Sequence, residues 1–299
     1  MRSGIMYISL SYILWGIFPI YWKVLDHVSS EEILAHRIIW SFVFVLLLLL
    51  FQKRFADFLY ECTKIVKSPK ILLTLALSSF LISANWFVYI WAVNHDRVLE
   101  TSLGYYINPL VSVLLGMIFL HEKLNKGQQT AFLFAAFGVL ISTVHYGHVP
   151  WTSLILASTF GFYGLAKKVI KLDSAFGLAL ETFVVFPIGI IYVLYLELLG
   201  SSVFFEWDAS TNFLLMGTGV ITAIPLLLFA KGTPKIPMYF LGVLQYIAPT
   251  ITFFLGVFLY HEPFTVVELI TFVCIWTGII IFTMSEPSFK TIWKTRLSK

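Results

Sequence analysis

Residues 102–111 read S-L-G-Y-Y-I-N-P-L-V, and 140 positions later residues 242–251 read G-V-L-Q-Y-I-A-P-T-I. Tyr106-Ile107-x-Pro109 meets Tyr246-Ile247-x-Pro249, Leu115-Gly116 meets Leu255-Gly256, and His121-Glu122 meets His261-Glu262. The register runs on through Phe132/Phe272, Gly138/Gly278 and Ile141/Ile281, and a fainter echo relates Gly16-x-Phe18 to Gly161-x-Tyr163. The chain therefore reads as a duplication, residues 1–147 and 148–285, with residues 286–299 as a tail.

Outward from that repeat, the composition sets the solvent. Of the 299 residues 59% are apolar and 12% charged, and the mean hydropathy is +0.88. Soluble domains are nearer ~45–50% apolar and ~25% charged, so a solvated globule, a disordered chain and a coiled coil are excluded. A helix needs ~20 apolar residues to cross ~30 Å of hydrocarbon. That ruler predicts ten spans, near 4–22, 33–51, 71–94, 101–120, 128–146, 150–168, 176–197, 212–231, 239–260 and 266–284. The expected fold is an all-α membrane protein of two inverted five-helix repeats. Outer-membrane barrels show ~10-residue segments of alternating polarity, unlike the run Phe42 to Phe51. The first apolar run is too long for a signal peptide and lacks a cleavage site, so it reads as a retained span.

Lys and Arg favour the cytoplasmic side. With the N-terminus inside, 17 of the 20 fall in inner loops, and Lys23, Arg37 and Arg97 lie outside. Both termini are expected in the cytoplasm, with the chain in a bacterial inner membrane. Five spans per repeat is odd, so the second repeat enters from the opposite face. Inverted repeats of this kind recur in secondary transporters, whose substrate sites lie near the midplane between halves. The same inversion puts His121-Glu122 and His261-Glu262 on opposite faces, so they cannot share a metal ion. Both pairs read as span-end residues.

Ionisable groups at membrane depth cost ~2.5–3.5 kcal/mol on insertion scales, so each needs a reason. Glu32 and His36 are one turn apart on one face, and Arg37 beside them either snorkels outward or points inward as an anion or carboxylate anchor. Glu181 lies some five residues into the seventh span, ~7–8 Å past its end, within possible reach of Lys167 and Lys168. Two roles stand open: a structural ion pair, or a proton-coupling carboxylate switched by moving Lys167. Burial favours a neutral carboxyl and a lysine favours its anion. Pro109 and Pro249 free the carbonyls of Tyr105 and Gln245, which either kink the helix or mark a cavity flanked by Tyr106, Asn108, Gln245 and Tyr246. Trp15, Trp86 and Tyr89 are deep enough to line such a cavity or to pack as core.

No phosphate-binding glycine loop, zinc-hydrolase motif, nucleophile elbow, voltage-sensor arginines or potassium-filter run is present. Lys/Arg stripes of a nucleic-acid binder are missing. Cys62 and Cys274 are too few for a disulfide framework. A non-enzymatic carrier is the expectation, with no cofactor or metal. Its expected partners are a small-molecule substrate, the lipid bilayer and, as a possible coupling ion, protons. A sensor or channel is the alternative.

The chain resembles the RarD-type permeases of the EamA branch of the drug/metabolite transporter superfamily, essentially end to end. The resemblance rests on E-I-L-A-H-R-I-I-W-S (Glu32 to Ser41), N-W-F-V-Y-I-W-A-V-N (Asn85 to Asn94), S-L-G-Y-Y-I-N-P-L-V (Ser102 to Val111), F-Y-G-L-A-K-K (Phe162 to Lys168), Glu181-Thr182 and Q-Y-I-A-P-T (Gln245 to Thr250). It implies ten spans, a permease role, and His36, Arg37, Asn85, Trp86, Asn94, Tyr106, Asn108, Pro109, Glu181, Gln245 and Tyr246 as cavity or gating candidates. Lys231 departs from the family's small or acidic residue and is expected at the cytoplasmic end of the eighth span, snorkelling.

Overall fold

The structure is a computed structural model that describes residues 1–94, 98–146, 151–170, 172–204, 209–260 and 265–285. The helices, in chain order, are α1 (Arg2–Val24), α2 (Ser30–Phe51), α3 (Phe55–Val66), α4 (Pro69–Asn94), α5 (Val98–Leu120), α6 (Lys126–Tyr146), α7 (Trp151–Val169), α8 (Ser174–Leu198), α9 (Ala209–Gly232), α10 (Met238–Leu244), α11 (Ile247–Phe254) and α12 (Val266–Ser285). Among the described residues, seven stretches are long and apolar enough to cross a membrane: Arg2–Val24, Ser30–Phe51, Pro69–Ala92, Lys126–His145, Ser174–Leu198, Ala209–Lys235 and Met238–Leu259. Gly104–Leu120 and Leu269–Phe282 are shorter apolar helices.

Local chemistry explains several starts. Ser29 caps α2 by accepting from the Glu32 amide at 3.3 Å, and Asp173 caps α8 through the Ala175 amide at 3.0 Å. Asn125 and Gln128 exchange side-chain and amide hydrogen bonds of 2.9 Å each before α6, a reciprocal capping arrangement.

Two elements depart from the sequence reading. The amphipathic helix α3 occupies what reads as an inner loop; it buries Phe58 and Ile65 and is braced by Arg54, whose guanidinium meets Asp173 at 3.1 Å. The predicted ninth span is interrupted: α10 stops at Leu244, α11 starts at Ile247, and a π-helical turn, Leu255–Leu259, follows. Pro249, which cannot donate to the Gln245 carbonyl, weakens the helix at this point. Its counterpart Pro109 leaves α5 continuous.

The bundle buries small polar residues within an apolar interior and is apolar on its outer surface. Ser11, Ser41, Ser78, Ser79, Ser112, Ser153 and Thr218 are fully buried, while Leu73, Ile191 and Phe213 lie on the surface. Lipid supplies no hydrophobic drive between helices, so close packing and interhelical hydrogen bonds hold the bundle. Ser11 donates to the Pro225 carbonyl at 2.8 Å, joining α1 to α9. Ser41 donates to Gly219 at 3.2 Å, joining α2 to α9. Glycines mark the tightest crossings. A Cβ on Gly16 would stand 2.8 Å from Ile251, and one on Gly161 would stand 2.8 Å from Val111. A Cβ on Gly138 would stand 3.0 Å from the Thr271 carbonyl, and one on Gly278 would stand 2.8 Å from that of Ala131.

Candidate functional site

Polar groups inside the bundle form a column bounded by α4 and α9. At one end, Arg37 turns inward from α2 and is 4% exposed. Its Nε donates to Thr222 on α9 at 3.1 Å. Its guanidinium carbon lies 4.7 Å from the ring of Trp22 and 4.7 Å from that of Trp86, so it is in cation–π contact with two indoles. Tyr89 and Tyr105, 5.7 Å apart between rings, stand beside it. The inward choice for Arg37 is therefore the one the structure adopts.

Eight residues back along α4, ~12 Å at 1.5 Å per residue, Ser78 donates to Glu181 at 2.6 Å. The other oxygen of Glu181 meets Lys167 Nζ at 2.6 Å and accepts from the Tyr163 hydroxyl at 3.5 Å. Glu181 is 2% exposed and Lys167 6%. Lys168 points elsewhere: it donates to the Ile236 carbonyl at 2.6 Å and lies 3.6 Å from Glu122.

Between these ends sits an aromatic layer. Tyr163 stacks on Phe229 at 5.9 Å, Phe160 packs on both, and Trp15 meets Phe160 edge-on at 5.6 Å. Tyr12 closes the group against Trp15 at 5.3 Å. Beside it the helix break presents Gln245, whose Oε1 accepts from Ser112 at 3.2 Å. Gln245 Nε2 and the Tyr12 hydroxyl face each other without meeting hydrogen-bond geometry, and both are buried. Asn108 Oδ1 is also buried without a partner. An unsatisfied buried polar group costs ~1–3 kcal/mol, so these atoms mark where water or a polar ligand is wanted.

Other candidates are engaged structurally. Asn85 clasps α7 through Leu156 at 2.9 Å and Thr159 at 3.0 Å. His36 turns away from Arg37, stacking on Phe204 at 4.6 Å and accepting from Trp40 at 3.2 Å. Its neighbour Glu32 holds the same loop through Ser202, Val203 and Phe204. Tyr106 packs on Phe272 at 5.0 Å, and its carbonyl accepts from Tyr246 at 3.4 Å. Pro109 and Tyr246 line a small apolar pocket with Gln128 and Phe282, and Pro249 is buried in α11. Asn94 ends α4, and its side chain lies outside the described residues, as do His261-Glu262 and the 286–299 tail. Glu122 caps α10 through the Met238 and Tyr239 amides at 2.8 and 3.0 Å. Lys231 is exposed with its ammonium 4.8 Å from the Tyr7 ring, as a snorkelling residue would be.

Trp22, Tyr105, Thr222, Ser78, Tyr163 and Tyr12 complete the column. Sequence reasoning passed over them because single hydroxyls and rings within apolar runs carry no signal until a distant partner is known.

Fold and relatives define a membrane transporter. The EamA-like transporter family model matches residues 2–144. An uncharacterized transporter of Bacillus subtilis, YojE, is 50% identical over 297 residues, 98% of each chain. Protein RarD of Salmonella typhi is 40% identical over 283 residues, 95% of each chain, and that of Escherichia coli 38% over 95% of this chain and 94% of the other. A crystal structure of a protein 17% identical shares the fold with TM-score 0.69, covering 94% of this chain and 98% of its own. The chain belongs to the EamA-like transporter family, as a RarD-type permease and multi-pass protein of the bacterial inner membrane.

Proposed function

We propose that the chain is a secondary transporter, independent of ATP, that exports a small amphipathic metabolite or drug-like compound by alternating access between two inverted five-helix repeats. In this reading residues 1–147 and 148–285 form the repeats, and both termini are cytoplasmic. The observation that carries it is the exchange symmetry of the packing. Swapping repeats maps α1 onto α7, α2 onto α8, α4 onto α9, α5 onto α10 with α11, and α6 onto α12. Contacts map with them: α1 packs on α9 as α7 on α4, α5 on α7 as α11 on α1, and α2 on α9 as α8 on α4. Pairs that map onto themselves, α2 with α8, α5 with α10 and α6 with α12, also touch. The glycine contacts repeat residue for residue: Gly16 on Ile251 answers Gly161 on Val111, and Gly138 on Thr271 answers Gly278 on Ala131.

Such symmetry gives two arrangements of comparable energy, open to opposite sides, which a carrier needs. The column from Arg37 to Glu181 is the proposed pathway, and the aromatic layer with Gln245 its midplane constriction. Glu181, held by Lys167 at 2.6 Å, is the proposed proton-coupling group, with Lys167 as the partner that moves. Cysteines placed singly at 121 and 261 should react with impermeant reagents from opposite sides of the membrane. Labelling from one side only would end the inverted reading. Transport by Glu181→Gln with unchanged pH dependence would remove the coupling role.

A further inference from the structure

Among the described residues, one of the two buried cations of the column is answered by an anion: Lys167 meets Glu181 at 2.6 Å. Arg37 is as deeply buried, yet among the described residues no Asp or Glu lies within ion-pair distance of it. Glu32, five residues earlier on α2, is committed to Ser202, Val203 and Phe204. A desolvated guanidinium without a counter-charge is costly inside a membrane protein and marks a substrate path.

The geometry fixes which edge is left. The guanidinium carbon lies over the rings of Trp22 and Trp86, and Nε is satisfied by Thr222. The remaining Nη1/Nη2 edge has no acceptor among the described residues. Two parallel N–H groups in a plane match a carboxylate bidentately. With a single cation in contact, the matched ligand carries one negative charge; a phosphate, nearer −1.5 to −2, would be left uncompensated. The walls are aromatic, and the Tyr89 and Tyr105 phenols are near enough to interact electrostatically with Arg37, each carrying a hydroxyl that can donate to a carboxylate oxygen. We propose that Arg37, in cation–π contact with Trp22 and Trp86, anchors the carboxylate of a monocarboxylate substrate with a flat apolar body. This rests on the carrier reading and names its substrate class.

The test uses the purified full chain in nanodiscs, with thermal unfolding followed against benzoate, phenylacetate and indole-3-acetate. Benzamide and benzylammonium serve as neutral and cationic counterparts. The carboxylates should raise the melting temperature and the counterparts should not. Arg37→Gln should weaken benzoate binding at least about tenfold, and Arg37→Lys, which keeps the charge but loses the fork, should lie between. If Arg37→Gln does not fold, quenching of tryptophan fluorescence by benzoate replaces it, and Trp22→Phe should reduce the quench. Equal stabilisation by benzamide, no shift with any of the three carboxylates, or unaltered benzoate binding in the Arg37 variants would overturn the assignment. A parallel arm places a cysteine at Ser112 in a Cys62→Ala, Cys274→Ala background and labels it from each side. Two-sided labelling without carboxylate binding leaves the carrier and removes the anchor. Carboxylate binding with one-sided labelling leaves the anchor and removes alternating access.

Discussion

Replacing Lys167 by Met strands the Glu181 carboxylate with only Ser78 and Tyr163 as donors. Removing one partner of a buried ion pair costs ~3–5 kcal/mol. At ~2–4 °C per kcal/mol for larger domains, Lys167→Met should melt roughly 6–20 °C early. Glu181→Gln strands the ammonium instead and should be damaged to a similar extent. The double variant Lys167→Met/Glu181→Gln, which leaves neither charge unpaired, should be milder than either single change. The assay is thermal unfolding of the purified protein by tryptophan fluorescence. A double variant as damaged as the singles would refute the reasoning.

Gly161→Val and Gly16→Val each drive a side chain into the partner helix. Both should lose ~1–3 kcal/mol by overpacking, to a similar extent, as read by melting temperature. Glu122→Ala uncaps α10 and removes the anion near Lys168; a loss of ~0.5–2 kcal/mol is expected in the same measurement. Asn85→Ala removes two bonds between α4 and α7 and should cost ~1 kcal/mol at the ~0.6 kcal/mol average for interhelical bonds in membranes, visible as a small shift in melting temperature.

The apolar runs were legible because membrane length and composition act locally. Among the described residues the predicted spans fall on helix except where the ninth breaks at Gln245 and Tyr246, and seven stretches are long and apolar enough to cross a membrane. Helix α3 was not legible, since twelve residues carrying Asp57, Glu61 and Lys64 look like a loop to a ruler made for twenty apolar ones. Neither was the break at Gln245. Pro109 and Pro249 occupy equivalent positions, yet only one interrupts its helix, so the proline alone does not decide. At the site, Glu181 with Lys167 could be read because α7 and α8 are joined by a short connection that brings their ends together. Arg37 could not be oriented from sequence, because Trp22, Trp86 and Thr222 reach it from three other helices. His36 shares its sequence neighbourhood but not its direction, since successive helical residues point ~100° apart.

The interruption at Gln245 and Tyr246 divides one span between two hosts. The leading half, α10, lies against α5, while the trailing half, α11, lies against α1. Each half can travel with its host as a rigid piece, and the two residues at the joint absorb the change of angle. Bending there spares both sets of side-chain contacts, so a swing of one half against the other asks little of the packed surfaces. A continuous rod in the same place would have to slide along one neighbour in order to follow the other.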